Sequence, residues 1–353
     1  MNLFVLDRNF SPVAVVDTYE SLIWADRYYE CGDFELYTVM SDDILQKIKM
    51  GYYLVNDNSD HAMVVEKIRI DYDVETGNHI TIAGRSLESI LDRRVVWGQQ
   101  VLSGNLQQVV KSLLDASFIN PSKTSRKVPN FIFKETDDPV ILGIEINAQY
   151  TGDNIYEVIK SLCTDCGVGF KLCLNDDYQL EFELYSGVNR SYDQSENSFV
   201  IFSPTFDNMI NSNYIESEEP FKNVALIGGE GEGSARKYAA VGDFTGLDRK
   251  ELFVDARDIS STSEDQTISN DEYQKMLQQR GKEKLSETTP ITSFEGEGET
   301  TQLFVYGRDF SKGDIVQVAN EYGHETKARV LEVIMSEDEN GFSVYPTFGT
   351  LIE

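Results

Sequence analysis

The chain has 353 residues, 41% of them hydrophobic, and a formal net charge of −29. This length implies two or three domains with cores of their own, and this composition excludes wholesale disorder. The acidity is spread out. Residues 1–100 hold 17 Asp/Glu against 9 Lys/Arg, an imbalance per residue close to that of the remainder. Such a surface disfavours nucleic-acid and anionic-membrane binding, because both need cations to meet phosphate. Its plainest use is solubility.

Four cysteines, Cys31, Cys163, Cys166 and Cys173, do not form the pattern of a disulfide framework in a chain of this size. No run approaches the roughly 18 apolar residues of a membrane span. The first ten residues read as a strand and turn, not as a signal peptide. Assembly in a reducing cytoplasm is the expectation.

In chain order, residues 3–6 and 13–16 flank a turn-rich connector and predict a hairpin. Strands are expected at 33–39, 52–55, 62–72 and 79–83. The last two are joined by Glu75-Thr76-Gly77-Asn78, whose Gly and Asn tolerate positive φ. Ser86 is placed to cap a short helix over 87–94. Several short strands closed by one helix suggest a small barrel or sandwich.

The period then changes. Asn105 precedes Leu106, Val109, Val110, Leu113 and Leu114, the stripe of an amphipathic helix. Residues 123–129 read as a polar loop. A second helix is expected from Asn154, with Ile155, Val158, Ile159, Leu162, Cys163 and Cys166 on one face and Gly167 to end it. Strands at 170–174 and 178–185 follow. This region reads as an α+β insertion.

Farther on, strands are expected at 222–227, 252–256, 302–306, 314–318, 327–335 and 342–347. A helix is expected over 271–285, capped by Ser269 or Asn270, and an acidic glycine-rich turn at 295–300. The order of elements from Gly51 to residue 83 recurs from Gly313 to residue 347, an echo in topology with little identity.

Candidate chemistry is thin. Cys163-Thr164-Asp165-Cys166 lacks a second ligand pair for zinc, and His61, His79 and His324 are scattered. The two cysteines also fall at a helix C-terminal end, where the dipole does not favour thiolate, so they read as small core residues. Gly228-Gly229-Glu230-Gly231-Glu232-Gly233-Ser234 follows a strand, but its carboxylates oppose phosphate binding, and it reads as a flexible hairpin tip or interface loop. Neither it nor Glu295-Gly296-Glu297-Gly298-Glu299 has EF-hand spacing. Asp92-Arg93-Arg94 is the densest basic spot among the strands; its expected role is to cap carbonyls, pair with carboxylates or, in an oligomer, cross a subunit interface, well ahead of anion binding. No nucleophile elbow or zinc-protease motif occurs. No catalytic, cofactor-binding or metal residue is therefore nominated, and no enzyme activity is expected.

Several motifs, taken in order, carry a resemblance. They are Trp24-Ala25-Asp26-Arg27-Tyr28, Gly32-Asp33-Phe34-Glu35-Leu36, Gly84-Arg85-Ser86-Leu87, Leu91-Asp92-Arg93-Arg94, Tyr185-Ser186-Gly187-Val188-Asn189-Arg190, Gly246-Leu247-Asp248-Arg249-Lys250-Glu251 and Pro346-Thr347-Phe348-Gly349. Together they resemble the tail-tip or baseplate hub proteins of long-tailed bacteriophages, also found in phage-like contractile particles.

The resemblance implies an α+β, β-rich chain with two small β-barrel hub domains, an α+β insertion domain and a helical insertion. The expected divisions are 1–104 for the first barrel, 105–205 for the insertion, 206–259 and 295–353 for the second barrel, and 260–294 for the helical insertion. It implies a homotrimeric virion protein at the tail tip that adapts a sixfold tube to a threefold tip. Distal tail protein, tape measure protein and receptor-binding tip proteins are the expected partners. DNA would pass through the channel without specific binding, and no membrane anchor, cofactor or metal is expected. A cell-wall hydrolase domain, carried by some relatives, is not expected, because the chain stops after the last barrel strand. The alternatives are a cell-wall-degrading hydrolase and a carbohydrate- or receptor-binding module.

Overall fold

The computed structural model describes residues 1–75, 77–209, 211–262, 268–297, 303–322, 325–349 and 351. The first segment holds β1 (Leu3–Leu6), β2 (Pro12–Val16), β3 (Ser21–Arg27), β4 (Asp33–Val39), the short helix α1 (Asp42–Lys47), β5 (Tyr53–Asn56), β6 (Ala62–Asp73) and β7 (Gly77–Ser86). A 3-10 turn at Leu87–Arg93 leads to β8 (Gln99–Asn105), α2 (Leu106–Leu114), β9 (Phe131–Lys134), α3 (Pro139–Leu142), β10 (Glu145–Thr151), α4 (Ile155–Asp165), β11 (Gly169–Leu174) and β12 (Leu180–Tyr185). The remainder holds β13 (Ile201–Phe202), β14 (Asn211–Ser217), β15 (Val224–Gly228), β16 (Tyr238–Val241), β17 (Glu251–Asp255), α5 (Asn270–Ser286), β18 (Ile291–Glu297), β19 (Ile315–Ala319), β20 (Glu325–Asp338) and β21 (Gly341–Gly349).

The chain is thus β-rich with several sheets. One sheet of 13 strands runs β14-β18-β21-β20-β3-β4-β7-β6-β5-β1-β2, with β13 and β19 attached beside β20. The strands expected to form two separate barrels are therefore joined in one sheet. Among the described residues that sheet does not close on itself. It curls around two apolar cores instead. Trp24, Phe34, Leu54, Ile80 and Ile82 fill the first, and Phe202, Phe310, Val316, Val330 and Phe348 fill the second.

The seam between the halves is the antiparallel pair β20–β3, from Glu332↔Arg27 to Glu337↔Leu22. The sequence reading missed β3. Its polar positions Asp26 and Arg27 break the alternation that marks a strand, because they serve the junction described below.

The echo seen in the sequence is a repeated geometry. In β6 the register to β7 slips between Val65 and Lys67, and in β20 the register to β21 slips between Val330 and Glu332. Just before each bulge the same pair of bonds recurs. Gly51 N–H donates to the Val65 carbonyl at 2.8 Å, and Val65 N–H to Tyr52 at 2.8 Å. Gly313 N–H donates to Val330 at 2.8 Å, and Val330 N–H to Asp314 at 2.9 Å. Both glycines have positive φ, 75° and 93°, which a side chain would strain. In turn β3, β4, β7, β6 and β5 correspond to β14, β18, β21, β20 and β19.

The helices begin as their caps dictate. Asn105 and Ser269 each form a reciprocal capping box, with Gln108 and Glu272, and the Asn154 side chain accepts from Tyr156 and Glu157. Leu106, Val110, Leu113, Ile155, Ile159 and Leu162 are buried in a third core, shared with β8–β12. Sheet β16-β15-β17 stands apart from the main sheet, with Tyr273, Met276 and Leu277 of α5 packed on one face.

Three local expectations change. Residues 87–93 form a 3-10 turn that Ser86 does not cap, because its hydroxyl accepts from Gly32 N–H at 2.8 Å instead. Residues 295–297 end strand β18 and are not a turn, while 298–300 lie outside the described residues. Residues 303–306 form no strand, only a bridge from Tyr306 to Phe310, and 302 lies outside the described residues.

Candidate assembly junction

The first half, the insertion and the second half meet around Tyr28, the residue after β3. Its ring is fully buried. A Cβ on Gly169 or on Gly313 would come within 2.2 or 2.3 Å of that ring, so glycine is required on both sides. Its hydroxyl reaches the carbonyl oxygens of Gly167 and Tyr185, each at 3.2 Å. Its backbone N–H donates to Leu331 of β20 at 2.8 Å, and the Arg329 guanidinium lies 5.2 Å from the ring centre. One side chain therefore touches all three parts of the chain. Burial raises the Tyr28 hydroxyl well above its ordinary range, against the pull of Arg329.

Beside Tyr28 lies a cluster of charge in which Asp26, His61, Glu88, Lys312 and Asp314 are buried and Asp60 is exposed at the edge. Asp26 accepts from Trp24 Nε1 at 3.2 Å and from Ser59 Oγ at 2.7 Å. His61, 1% exposed, places Nδ1 3.1 Å from Glu88 Oε1 and Nε2 2.5 Å from Lys312 Nζ. Glu88 also accepts from Leu172 N–H at 2.9 Å. Lys171 of β11 donates to Asp60 at 2.6 Å, and Arg190 pairs with Asp314 at 2.7 Å. Asp26, Asp60, His61 and Glu88 come from the first half. Lys171 comes from the insertion, and Lys312 and Asp314 from the second half. A cavity of about 410 Å³ opens beside Asp60, Lys171, Tyr185 and Lys312.

Burial and Lys312 push the His61 imidazole down, but Asp26 and Glu88 outweigh them and raise it. Burial raises the Asp60 and Glu88 carboxyls, but His61, with Lys171 at Asp60, holds both below the usual carboxylate range. The ligand atoms of Asp26, Asp60 and His61 lie within 4.8 Å of one another, a spacing open to a metal ion. Two lysine ammonium groups already stand against this set, so the chain supplies the counter-charge itself. The arrangement ties segments together, and buried pairs of this kind are strongly destabilising to break from one side.

The motifs singled out in the sequence fall elsewhere. Cys163 is buried in the third core, Cys166 packs against it, and Cys31 accepts from the Tyr156 hydroxyl at 3.4 Å; all four cysteines are free. Burial raises the Cys163 thiol and pushes Cys166 up to about 12. The Gly228–Gly233 loop joins β15 to β16 and is anchored, not a free tip. Glu230 accepts from Ser261 N–H at 2.9 Å and pairs with Lys237 at 2.7 Å, and its own N–H reaches the Tyr273 hydroxyl at 2.8 Å. Burial raises its carboxyl, but Lys237 and Ser261 bring it down to about 2. Arg94 donates to the Arg93 carbonyl at 3.0 Å, as expected of a basic residue at a turn's end. His79 pairs with Glu20 at 3.4 Å, far from His61 in sequence, and His324 lies outside the described residues.

Sequence reasoning missed Tyr28, His61, Glu88 and Lys312 as a group. The available signal was glycine placement, since Gly169 and Gly313 are spaces cleared for one ring.

This fold, a curled sheet with two like halves and an α/β insertion, is that of phage tail proteins. Three solved structures match nearly the whole chain. The prophage tail protein gp18 from Listeria monocytogenes EGD-e has a TM-score of 0.57 at 14% identity, covering 99% of this chain and 95% of that one. The 43 kDa tail protein of prophage MuSo2 from Shewanella oneidensis scores 0.58 at 13%, covering 99% and 98%. The tail protein from Neisseria meningitidis MC58 scores 0.59 at 12%, covering 99% and 96%. Identities this low speak for the fold alone. No curated protein matches the sequence.

The chain belongs to the family described as Siphovirus ReqiPepy6 Gp37-like protein, whose model matches residues 2–350. The resemblance to tail proteins of long-tailed phages is thereby borne out. No helix among the described residues is long and apolar enough to cross a membrane.

Proposed function

We propose that this chain is a structural hub of a phage or phage-like tail tip, a virion component without enzymatic activity, and that three copies close into a ring. The observation that carries the reading is an asymmetry between equivalent strand edges. The outer part of β20 pairs with β3 of the same chain. Among the described residues, the equivalent outer part of β6, residues 67–73, pairs with β7 alone. The equivalent of β3 is β14, also seven residues long, and it forms the other end of this strand series. Joining β14 of a second copy to the open β6 edge would repeat the seam already present within the chain. Such head-to-tail contacts close into rings when the rotation allows. Exposed strand edges are otherwise a liability.

In this reading each copy contributes two β units, giving a ring of sixfold appearance with threefold symmetry. The first unit covers 1–104 and the insertion 105–205. The second unit is assembled from 206–221 and 291–353. Sheet β16-β15-β17 and α5 form a lateral elaboration larger than the helix alone. Each unit would complete a barrel only in the ring. A distal tail protein, a tape measure protein and tip proteins are the partners proposed above, below and within. The even acidity would let DNA slide past without adhering.

The test is the mass of the purified chain by light scattering at micromolar concentration. A three-subunit particle is expected. Ile70→Asp, on the open edge at a half-exposed residue, should abolish it and leave the monomer folded, within about 0.5 kcal/mol of the parent. A stable wild-type monomer would overturn the reading.

A further inference from the structure

The Asp92-Arg93-Arg94 motif is not used by the assembly junction. Arg93 and Arg94 instead line a cavity of about 430 Å³ with Arg8, whose walls include Phe10, Tyr53 and Phe118. Among the described residues, no acidic one lines it. Among the described residues, no carboxylate lies within 4.0 Å of Arg8, Arg93 or Arg94. Their bonds go to backbone carbonyls. Arg8 donates to Met50 at 3.0 Å, and Arg94 to Arg93 at 3.0 Å and Arg126 at 3.4 Å. By contrast Arg27, Arg85 and Arg190 each hold a carboxylate at 2.8 Å or closer.

The neighbours register the same field. Burial raises the Tyr53 hydroxyl, while Arg93 and Arg8 pull it down, and no acid acts on it. Arg126, just behind, is lowered by burial and by the charge of Arg94. In a chain of net charge −29, this is a concave spot of concentrated positive charge.

Two further features mark a built pocket. The Arg94 Nε is buried and has no partner among the described residues, and such a donor is costly to leave unmade. Phe10 and Asn130, both on the lining, hold left-handed backbone at φ 62° and 59°. That conformation is strained for phenylalanine, and strain of this kind gathers at ligand sites. The Phe10 and Tyr53 rings sit 4.5 Å apart, and Arg94 lies 5.7 Å from the Phe118 ring centre.

We propose that this cavity binds a phosphate monoester carried on a flat apolar body. Three guanidinium groups without a counter-charge match a dianion better than a single carboxylate, and the guanidinium fork suits phosphate oxygens. The aromatic walls would hold the body, and the volume is that of a small-molecule site.

The experiment is calorimetric titration of the intact chain with phenyl phosphate, using inorganic phosphate and phenol as controls. Phenyl phosphate should bind once per chain, at least about tenfold tighter than either control. Arg93→Gln and Arg8→Gln should each weaken it by about tenfold or more. Both residues are exposed, so unchanged melting curves are expected of both variants. No saturable heat would overturn the proposal, as would equal binding of inorganic phosphate or unchanged binding by both variants. Loss of self-association in Arg93→Gln without saturable phenyl phosphate binding would also overturn it. In that case the arginines meet a carboxylate of a neighbouring chain.

Discussion

The two β units share a hairpin, a bulge and a pair of glycines, yet they differ in what interrupts them and in what guards their bulges. In the first unit, β3 and β4 are joined by residues 28–32, with Tyr28 turned into the junction. In the second, the equivalent strands β14 and β18 are separated by residues 218–290, which carry a sheet and α5. The same frame thus accepts either a tight turn or a large excursion at one point. What it preserves in both is the bulged strand and its glycine partner. The difference teaches that the strand pairing is the conserved machinery of the repeat, and the connection is where each half is specialised.

The strongest way to break the comparison is Tyr28→Ala. It removes a side chain that touches both units and the insertion, and leaves a cavity between Gly169 and Gly313. A loss of about 3–5 kcal/mol is expected, read by denaturant unfolding, with the single transition splitting as the parts uncouple. Tyr28→Phe should lose far less, because the ring stays.

Next in size is the pH response of the excursion in the second unit. Glu283 of α5 is buried and accepts from the Tyr150 hydroxyl at 2.8 Å. Burial drives its carboxyl up to about 7, against Arg280, Tyr150 and Gln279, with Asp165 adding to the rise. The folded state therefore holds this proton more tightly than the unfolded state, so its contribution is present below about pH 4.5 and is lost as pH rises through about 7. The change amounts to roughly 3 kcal/mol. Hydrogen exchange of α5 should loosen between those limits in the parent and much less in Glu283→Gln. The junction near Tyr28 has the opposite sign. Asp60 and Glu88 are held below their usual range, so their contribution is lost as pH falls. The raised His61 imidazole also loses its contribution as pH rises, so the two regions differ on the acid side, and a junction that gains stability as pH falls below about 4 would refute this assignment.

The finest distinction lies at the bulges. A Cβ on Gly84 would meet the backbone oxygen of Val64 at 1.8 Å, whereas one on Gly349 would meet the Leu331 side chain at 2.1 Å. A backbone oxygen cannot move aside and a leucine tip can. Gly84→Ala should therefore lose about 2 kcal/mol more than Gly349→Ala in thermal melting. The two positions are not register equivalents, since Gly84 pairs with Val65 and Gly349 with Arg329, and equal losses would mean that the backbone contact at Gly84 is no harder to relieve than the leucine contact at Gly349.

Much of the secondary structure was legible because its causes are local. Asn105, Asn154 and Ser269 cap helices with their own side chains, and the stripes from Leu106 and Ile155 point inward wherever the helix lies. The repeat was legible as an order of elements, since Gly51 and Gly313 mark the same positive-φ turn. The candidate junction was not legible. His61, Glu88, Lys171 and Lys312 lie far apart in sequence, and each alone reads as an ordinary polar residue.

By itself, then, the sequence determined the β-rich class, the helix starts, the even acidity and the absence of a membrane-length apolar helix, all set by composition and short-range spacing. Only the tertiary structure decided that the two halves form one sheet through β3 and β20, and that Tyr28 fills a space cleared by distant glycines. It alone turned Arg93 and Arg94 from a basic spot into the wall of a cavity. Those features depend on which residues meet across hundreds of positions, and burial and pairing there set energies that no local window contains.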